Sequence, residues 1–305
     1  MTILVSGASG LIGQCVVSHA VRAGHDVIRL VRTRELASAN GIYWNPDAGE
    51  IDIDQLNGID CVVHLAGKNV AAGRWNAKLK DEILQSRVKG TRLLAETFSR
   101  IKQPPKTFIM ASAVGYYGDR GDELLHENSA PGEGFLSEVC QAWEAEAQPL
   151  IDAKIRTVKL RIGVVLTHKG GALPKMLSPF KMGMGGKIGN GRQYMAWITL
   201  EDLIGLILFV IDNDNIAGPI NAVAPQPVTN AEFTQTLGKT LNRPTFMSVP
   251  AAALKLAVGD MAEELLKSSR AVPTALTKYG YQFTHPDLET ALQACLDPSN
   301  PEYNH

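Results

Sequence analysis

The residues with the clearest chemical capacity stand near the N-terminus, where Gly7, Gly10 and Gly13 follow the apolar run Ile3-Leu-Val-Ser6 and open the amphipathic stretch that begins at Leu11. That placement suits phosphate: the first glycine permits a tight turn, the second lets backbone N–H groups reach a pyrophosphate at a helix N-terminus, and the third lets helix and strand pack closely. Ser9, Leu11 and Ile12 share the loop and are counted with it as cofactor-binding positions. A glycine triad standing alone is equally a structural turn; the strand before it, and the helix and second strand after it, favour a dinucleotide. The second strand, Asp26-Val-Ile-Arg-Leu-Val31, runs into Arg32 and Arg34 with no acid at its far end. A carboxylate there would accept from a ribose 2′-OH, whereas a guanidinium fork suits a 2′-phosphate, so Val31 and Arg32 point to NADP(H). The alternative is a pair of solvated loop arginines. Leu65, Ala66 and Gly67 close another apolar strand at the edge where ligands sit in such sheets, and small residues there let a cofactor approach the backbone.

Further segments carry a family resemblance. The G-x-x-G-x-x-G spacing, Val62-Val-His-Leu-Ala-Gly67, Val88-Lys-Gly-Thr-Arg-Leu-Leu-Ala-Glu96, Ala111-Ser-Ala-Val-Gly-Tyr-Tyr-Gly118, Gly189-Asn-Gly-Arg-Gln193 and Trp197-Ile-Thr-Leu-Glu-Asp202 together resemble the atypical or extended short-chain dehydrogenase/reductase family, NAD-dependent epimerase/dehydratase-like. The closing stretch from Ser269 to Phe283, then Pro286-Asp-Leu-Glu-Thr-Ala-Leu292, is similar to the C-terminal domain of the "epimerase family protein" subgroup. The resemblance covers nearly the whole chain. It implies that the backbone at Val165 meets the nicotinamide carboxamide, although the same position reads as a plain core valine. It also sets Arg87 where the family has an asparagine, with Glu82 five residues earlier on the same helix. A charge on an apolar inner face needs a partner, which a bound dinucleotide or Glu82 could supply; the alternative is a solvent-facing arginine.

The resemblance further implies a tyrosine acid/base supported by a lysine four residues on, a spacing that puts both on one helical face. None of the tyrosines is followed by that lysine. On the helix that should carry the pair, Leu136 takes the tyrosine position and Cys140 the lysine position. Leu136 has no proton to give, and a thiol without a nearby cation is a poor substitute. The remaining hydroxyls are Ser112, which either holds a substrate oxygen or caps a strand end, and Tyr116 and Tyr117, which either donate a proton or pack over the cleft. Ser112 with Tyr116 is the catalytic pair expected here. His64, inside an apolar strand, reads as a satisfied core histidine, and Glu138, Glu144 and Glu146 as the solvated side of their helix. Gln193, Tyr194 and Trp197 either line a substrate cleft or anchor a lobe.

These residues must be positioned by an α/β, doubly wound parallel-sheet NAD(P)-binding Rossmann fold with a smaller, mainly helical C-terminal substrate lobe. Apolar runs near 2–6, 26–32, 42–45, 60–66, 106–112, 156–166 and 218–223 read as strands, and amphipathic stretches near 11–23, 76–100, 135–150 and 200–213 as helices. Residues 166–196 read as glycine-rich loop. The division expected is 1–165 with 197–224 for the dinucleotide-binding domain, and 166–196 with 225–305 for the lobe; the tail from Asp297 is expected to fray. The chain of 305 residues is 45% hydrophobic and carries 30 Lys+Arg against 31 Asp+Glu, which excludes disorder and offers nucleic acid no broad attraction. Four scattered cysteines, Cys15, Cys61, Cys140 and Cys295, fit neither a metal set nor a disulfide framework. With no membrane-length apolar run and no signal stretch, the expectation is a cytoplasmic protein, drawn also as a homodimer, with a small-molecule substrate and neither metal, nucleic acid nor membrane as partner. Two functions fit: an NADP(H)-dependent oxidoreductase or epimerase-like enzyme acting on a polar metabolite such as a nucleotide sugar, or a non-catalytic NADP(H)-binding redox sensor.

Overall fold

The computed structural model describes residues 1–37 and 40–297. Its centre is an eight-stranded sheet of β1 Thr2–Ser6, β2 Asp26–Val31, β3 Gly41–Asn45, β4 Glu50–Ile51, β5 Cys61–His64, β6 Thr107–Ala113, β7 Arg156–Ile162 and β8 Gly218–Ala222. The spatial order is β8-β7-β6-β5-β1-β2-β3-β4, and every pairing is parallel except β3 with β4. Strand order reverses between β1 and β5, the topological switch point outside whose carboxyl ends such sheets bind ligands.

The central strands β1, β5 and β6 are buried on both faces, which is why they read as near-continuous apolar runs. Ile3, Val5, Val63 and Ile109 meet Val16, Val17 and Ala20 of α1 (Leu11–Arg22) and Leu203 and Ile207 of a later helix (Leu200–Asp212). On the opposite face Leu4, Val62, Phe108 and Met110 meet Leu94 and Phe98 of α2 (Ala77–Phe98) and Trp143 of α3 (Phe135–Ala145). The Asn76 side chain caps α2 by accepting from the Leu79 amide at 2.9 Å, a placement the sequence boundary near 76 anticipates.

Three boundaries differ from the sequence reading. The run 156–166 is broken at Gly163, where a Cβ would lie 2.7 Å from the Ala196 carbonyl oxygen; residues 164–166 then leave the main sheet and pair with Trp197–Thr199. The helix expected over 135–150 ends at Ala145, and a short one restarts at Gln148 with Pro149 in its first turn, where a missing N–H is harmless. The stretch 166–196 is no simple loop: α4 (Ala172–Lys181) presents Leu173, Leu177 and Phe180 to a third core cluster with Trp197, Phe233 and Leu292, and residues 186–188 pair with 247–249. Glycines at both ends and Pro179 inside the helix disguise its apolar spacing. The expectation for the tail beyond Asp297 falls outside the described residues.

A buried polar chain ties the two switch-point strands to the helices above them. Ser6 Oγ accepts from the Leu65 and Ala66 amides at 3.1 and 3.2 Å, so its proton goes to His64 Nδ1 at 2.6 Å. His64 Nε2 must then carry the ring proton and donate to Thr91 Oγ1 at 3.0 Å, which also accepts from Trp143 Nε1 at 2.8 Å. This is the satisfied core histidine expected from the sequence. Burial pushes its pKa down to about 3. Because the unfolded imidazole titrates near 6.5, the unfolded chain binds the extra proton between those values, and stability falls as pH drops below about 6.5, by up to about 1.4 kcal/mol per pH unit. Urea unfolding from pH 7 to pH 4 should show a shallower fall for His64→Gln than for the wild type; equal slopes would contradict a neutral buried ring.

Candidate functional site

The glycine loop forms a cradle because three stretches of backbone meet in it. Gly7 adopts φ +68°, and a Cβ there would lie 2.9 Å from both the Leu65 carbonyl carbon and the Ala66 nitrogen. A Cβ on Gly13 would overlap the Gly7 carbonyl. Gly10 donates from its backbone to that same carbonyl at 2.9 Å and caps α1 without a side chain. The first turn of α1 contains no acid, so its N–H groups and the positive end of the helix dipole are directed at the cleft without internal neutralisation. Ser9 and Gly10 are exposed, while Leu11 and Ile12 turn their side chains toward the core. Leu11 also lies within 3.7 Å of where Gly170 and Gly171 would carry Cβ atoms, and the Val165 carbonyl is 3.9 Å from the latter position. Val165 is thereby brought to the same end of the sheet as the loop.

Beside the cradle lies a cleft of about 950 Å³, lined among others by Gly7, Ser9, Val31, Arg32, Thr33 and Ala66. Arg32 Nη2 is 3.1 Å from Asp47 Oδ2, with both side chains more than half exposed. Arg34 turns away: its guanidinium carbon lies 4.1 Å from the centroid of the Tyr43 ring, and Nη2 is 3.4 Å from Glu50. Leu65, Gly67, Glu82, Arg87 and Val165 stand outside this cleft wall. A cradle that excludes side chains, an uncapped helix start and an adjacent arginine-lined cleft make a donor set that fits a dinucleotide's pyrophosphate and adenosine.

Arg87 and Glu82 do not pair with each other. Glu82 is held by Lys68 at 2.9 Å, which keeps its carboxyl below the usual range. Arg87 Nη1 donates to the Lys68 and Ile83 carbonyls at 3.1 and 3.0 Å, and its guanidinium carbon lies 5.0 Å from the Trp143 ring centroid and beside Gly67. The solvent-facing alternative is thus replaced by a half-buried cation held on carbonyl dipoles at the end of β5.

At the end of β6 the sequence reading needs correction. Ser112 is buried and its hydroxyl donates to Glu144 Oε1 at 2.7 Å. Glu144, expected on a solvated face, is 6% exposed and forms a two-pronged ion pair with Arg161, Nε to Oε1 at 2.9 Å and Nη2 to Oε2 at 3.0 Å. Arg161, itself 3% exposed, donates from Nη1 to the Tyr117 hydroxyl at 3.0 Å, and Tyr117 donates onward to Asn221 Oδ1 at 2.7 Å. The Tyr116 ring covers the Arg161 guanidinium, its centroid 3.5 Å from the guanidinium carbon. Tyr116 is half-buried, and its hydroxyl has no hydrogen-bond partner among the described residues. Sequence reasoning missed Arg161, which stands in a strand that also carries Arg156 and Lys159 and so gave no signal of its own. Of the other two carboxylates, Glu138 is exposed and Glu146 grips Arg92 at 2.5 and 2.8 Å.

Leu136 and Cys140 do face the serine-bearing turn: a Cβ on Gly115 would lie 3.2 Å from Leu136 Cβ and 3.9 Å from Cys140 Sγ. Burial, with Glu144 adding to it, pushes the Cys140 thiol up to about 11, so no thiolate forms near neutral pH. Gln193 and Trp197 are buried and bond the Ile188 and Gln226 carbonyls at 3.1 Å each, and Arg270 stacks on Tyr194 at 4.8 Å. They anchor the segment rather than line the cleft. No helix among the described residues is long and apolar enough to cross a membrane, and no group of three or more His, Cys, Asp or Glu among them could hold a metal.

Residues 3–222, well over half of the chain, match the NAD dependent epimerase/dehydratase family. The chain belongs to that family. Residues 249–295 of this epimerase/dehydratase chain match a further family described as a domain of unknown function, DUF1731. A relative from Mycobacterium leprae, epimerase family protein ML0860, is 42% identical over 292 residues, 95% of this chain and 94% of its own length. The crystal structure of human epimerase family protein SDR39U1 with NADPH is similar at a TM-score of 0.88 and 35% identity, covering 97% of this chain and 99% of that one. The UDP-N-acetylglucosamine 4-epimerase of Bacillus cereus, at 17% identity, a TM-score of 0.73 and 96% and 97% coverage, shares the fold.

The Glu144–Arg161 pair yields a stability prediction. Removing one partner of a buried ion pair leaves the other charge uncompensated, at a cost of about 3–5 kcal/mol, whereas Ser112→Ala removes one hydrogen bond and should cost about 1–2 kcal/mol. Urea midpoints for Glu144→Gln and Ser112→Ala check this; a Glu144→Gln protein as stable as the wild type would show the pair to be dispensable.

Proposed function

We propose that this chain is an NADP(H)-dependent enzyme that moves hydride to or from a carbon bearing oxygen in a polar small-molecule substrate, with a sugar nucleotide the first class to examine. The observation that carries the reading is the side-chain-free cradle of Gly7, Gly10 and Gly13 at an uncapped helix start, opening into a cleft bordered by Arg32. The crystal structure of the human relative with NADPH supports the choice of dinucleotide. The backbone of Gly7, Ser9, Gly10, Leu11, Ile12 and Gly13 would hold the pyrophosphate, Val31 and Arg32 the phosphorylated ribose, Leu65, Ala66 and Gly67 the adenosine side, and Val165 and Arg87 the nicotinamide side. Glu82 would act only through Lys68. When bound, the nicotinamide supplies or takes the hydride.

Tyr116 is the proton donor in this reading, its hydroxyl open and its ring resting on the Arg161 cation. Ser112 positions rather than donates, since its own proton is committed to Glu144, which fixes Arg161 beneath that ring. Residues 166–196 with 225–305 would close over the cleft as a substrate lobe upon 1–165 with 197–224. Four widely scattered cysteines, without the dense spacing of a disulfide framework, support a cytoplasmic setting.

A second reading, a non-catalytic NADP(H) sensor, draws on one observation: Leu136 and Cys140 face the serine-bearing turn and neither can exchange a proton near neutral pH. Titrating NADPH and NADH against the wild type and Arg32→Ala tests the shared premise, with an expected preference for NADPH of about ten-fold that the variant loses. Gly10→Val should abolish binding of both cofactors while leaving a cooperatively folded protein, because its side chain would project where the pyrophosphate lies. Aldehydes, ketones and sugar nucleotides are then screened for turnover. On any active substrate Tyr116→Phe should lower kcat by about 10²–10⁴-fold with cofactor affinity unchanged; tight NADPH binding without turnover on any of them favours the sensor.

A further inference from the structure

Two cations from distant parts of the chain converge on one carboxylate at the rim of the cleft. Asp47, in the turn between β3 and β4, receives Arg32 Nη2 from the end of β2 on Oδ2 at 3.1 Å and Lys89 Nζ from α2 on Oδ1 at 3.3 Å. Its backbone N–H is tied to Asn45 Oδ1 at 3.2 Å, which holds the turn toward them. Arg34 is turned away and paired with Glu50, so at Asp47 itself two cations face one carboxylate and the local charge is positive. Arg32, Thr33 and Trp44 line the cleft itself, and Lys89 precedes Gly90, whose Cβ would touch Trp44 at 3.4 Å. Lys89 thus comes down on the same rim as Arg32, from the opposite side.

We infer that Lys89 and Asp47 set the dinucleotide selectivity of this site: Lys89 is the second cation for a ribose 2′-phosphate beside Arg32, and Asp47 is the opposing charge that yields to the phosphate and accepts from a 2′-OH in its place. The inference rests on the cofactor reading above and deepens it. All three side chains are 40% exposed or more, and exposed ion pairs are individually weak, so the contacts to Asp47 break easily. A phosphate brings a charge of about −1.5 to −2 and three acceptor oxygens against one unit and two oxygens for a carboxylate. It therefore outcompetes Asp47 for the two cations. A ribose without that phosphate presents a hydroxyl, and a carboxylate at this place is the group that accepts from it. Mobile ions screen charges at such a rim over about 8 Å at physiological salt, so the selectivity is greatest at low ionic strength.

The test measures dissociation constants of NADPH and NADH by nicotinamide fluorescence on the full chain, for wild type, Lys89→Gln, Asp47→Asn and the double variant, at low and high salt. Lys89→Gln should weaken NADPH by about two- to five-fold and leave NADH unchanged; Asp47→Asn should tighten NADPH by a similar factor and weaken NADH. Both effects should shrink as salt rises, with unfolding midpoints unmoved because the side chains are exposed. A wild type that prefers NADPH, combined with a Lys89→Gln variant of unaltered NADPH-to-NADH ratio, would overturn the inference alone. A wild type with no preference, or no binding, would overturn the cofactor reading as well.

Discussion

At Gly7 the carbonyl of one turn, the first turn of α1 and the end of β5 lie in van der Waals contact, and the space above them exists because none of the three carries a side chain there. A methyl group on Gly7 or Gly13 would push the helix off the sheet, widen the switch point and redirect the N–H groups that make the loop attractive to an anion. The contact is held from below by the Ser6–His64–Thr91–Trp143 chain, which fixes β1 against β5 and both against α2 and α3. Low dielectric strengthens such a fully partnered network and makes a broken one costly. Loop geometry, strand register and helix docking are consequently one constraint rather than three.

The other half of the site is organised by charge. Where the family resemblance predicted a phenol and an ammonium on α3, the helix offers Leu136 and Cys140, and the ionic partners have moved one turn along to Glu144 and across the sheet to Arg161. That pair draws in Ser112, Tyr117 and Asn221 and leaves Tyr116 lying on its surface. A buried pair of this kind contributes little net stability over an apolar substitute, yet it strongly penalises any arrangement that separates its members. Its effect is to hold the ends of β6, β7 and α3 in one geometry beneath the Tyr116 ring.

The parts legible in the sequence were those written in short-range patterns. The glycine loop, the central buried strands and the boundaries of α1 and α2 all depend on spacing within one element and its neighbour, whereas the placing of Leu136 and Cys140 came from the family resemblance. Glu144 was not legible as buried, because a glutamate four residues after Cys140 looks like an ordinary solvated side chain until Arg161, seventeen residues on, is placed by the sheet order. Lys89 was hidden similarly, its partner Asp47 lying forty-two residues away across α2 and β3. The helix Ala172–Lys181 did carry its own signal, with Leu173, Leu177 and Phe180 at helical spacing, but the flanking glycines and Pro179 outweighed it. Glu82 pairs with Lys68 because loop 67–76 folds back over α2, a tertiary fact absent from helical spacing.

The wiring around Cys140 also constrains what that position can hold. A lysine at 140 would enter beside the Arg87 guanidinium and next to a Glu144 already bound by Arg161 and Ser112, in a space filled by a small thiol. A tyrosine at 136 would start from the same Cβ as Leu136, which has room only because Gly115, 3.2 Å away at its Cβ position, carries no side chain. A lysine at 140 alone therefore gains no free carboxylate and meets a like charge. Installing a phenol and an ammonium on this helix is a cooperative exchange, in which Arg87 and Glu144 must change together with positions 136 and 140.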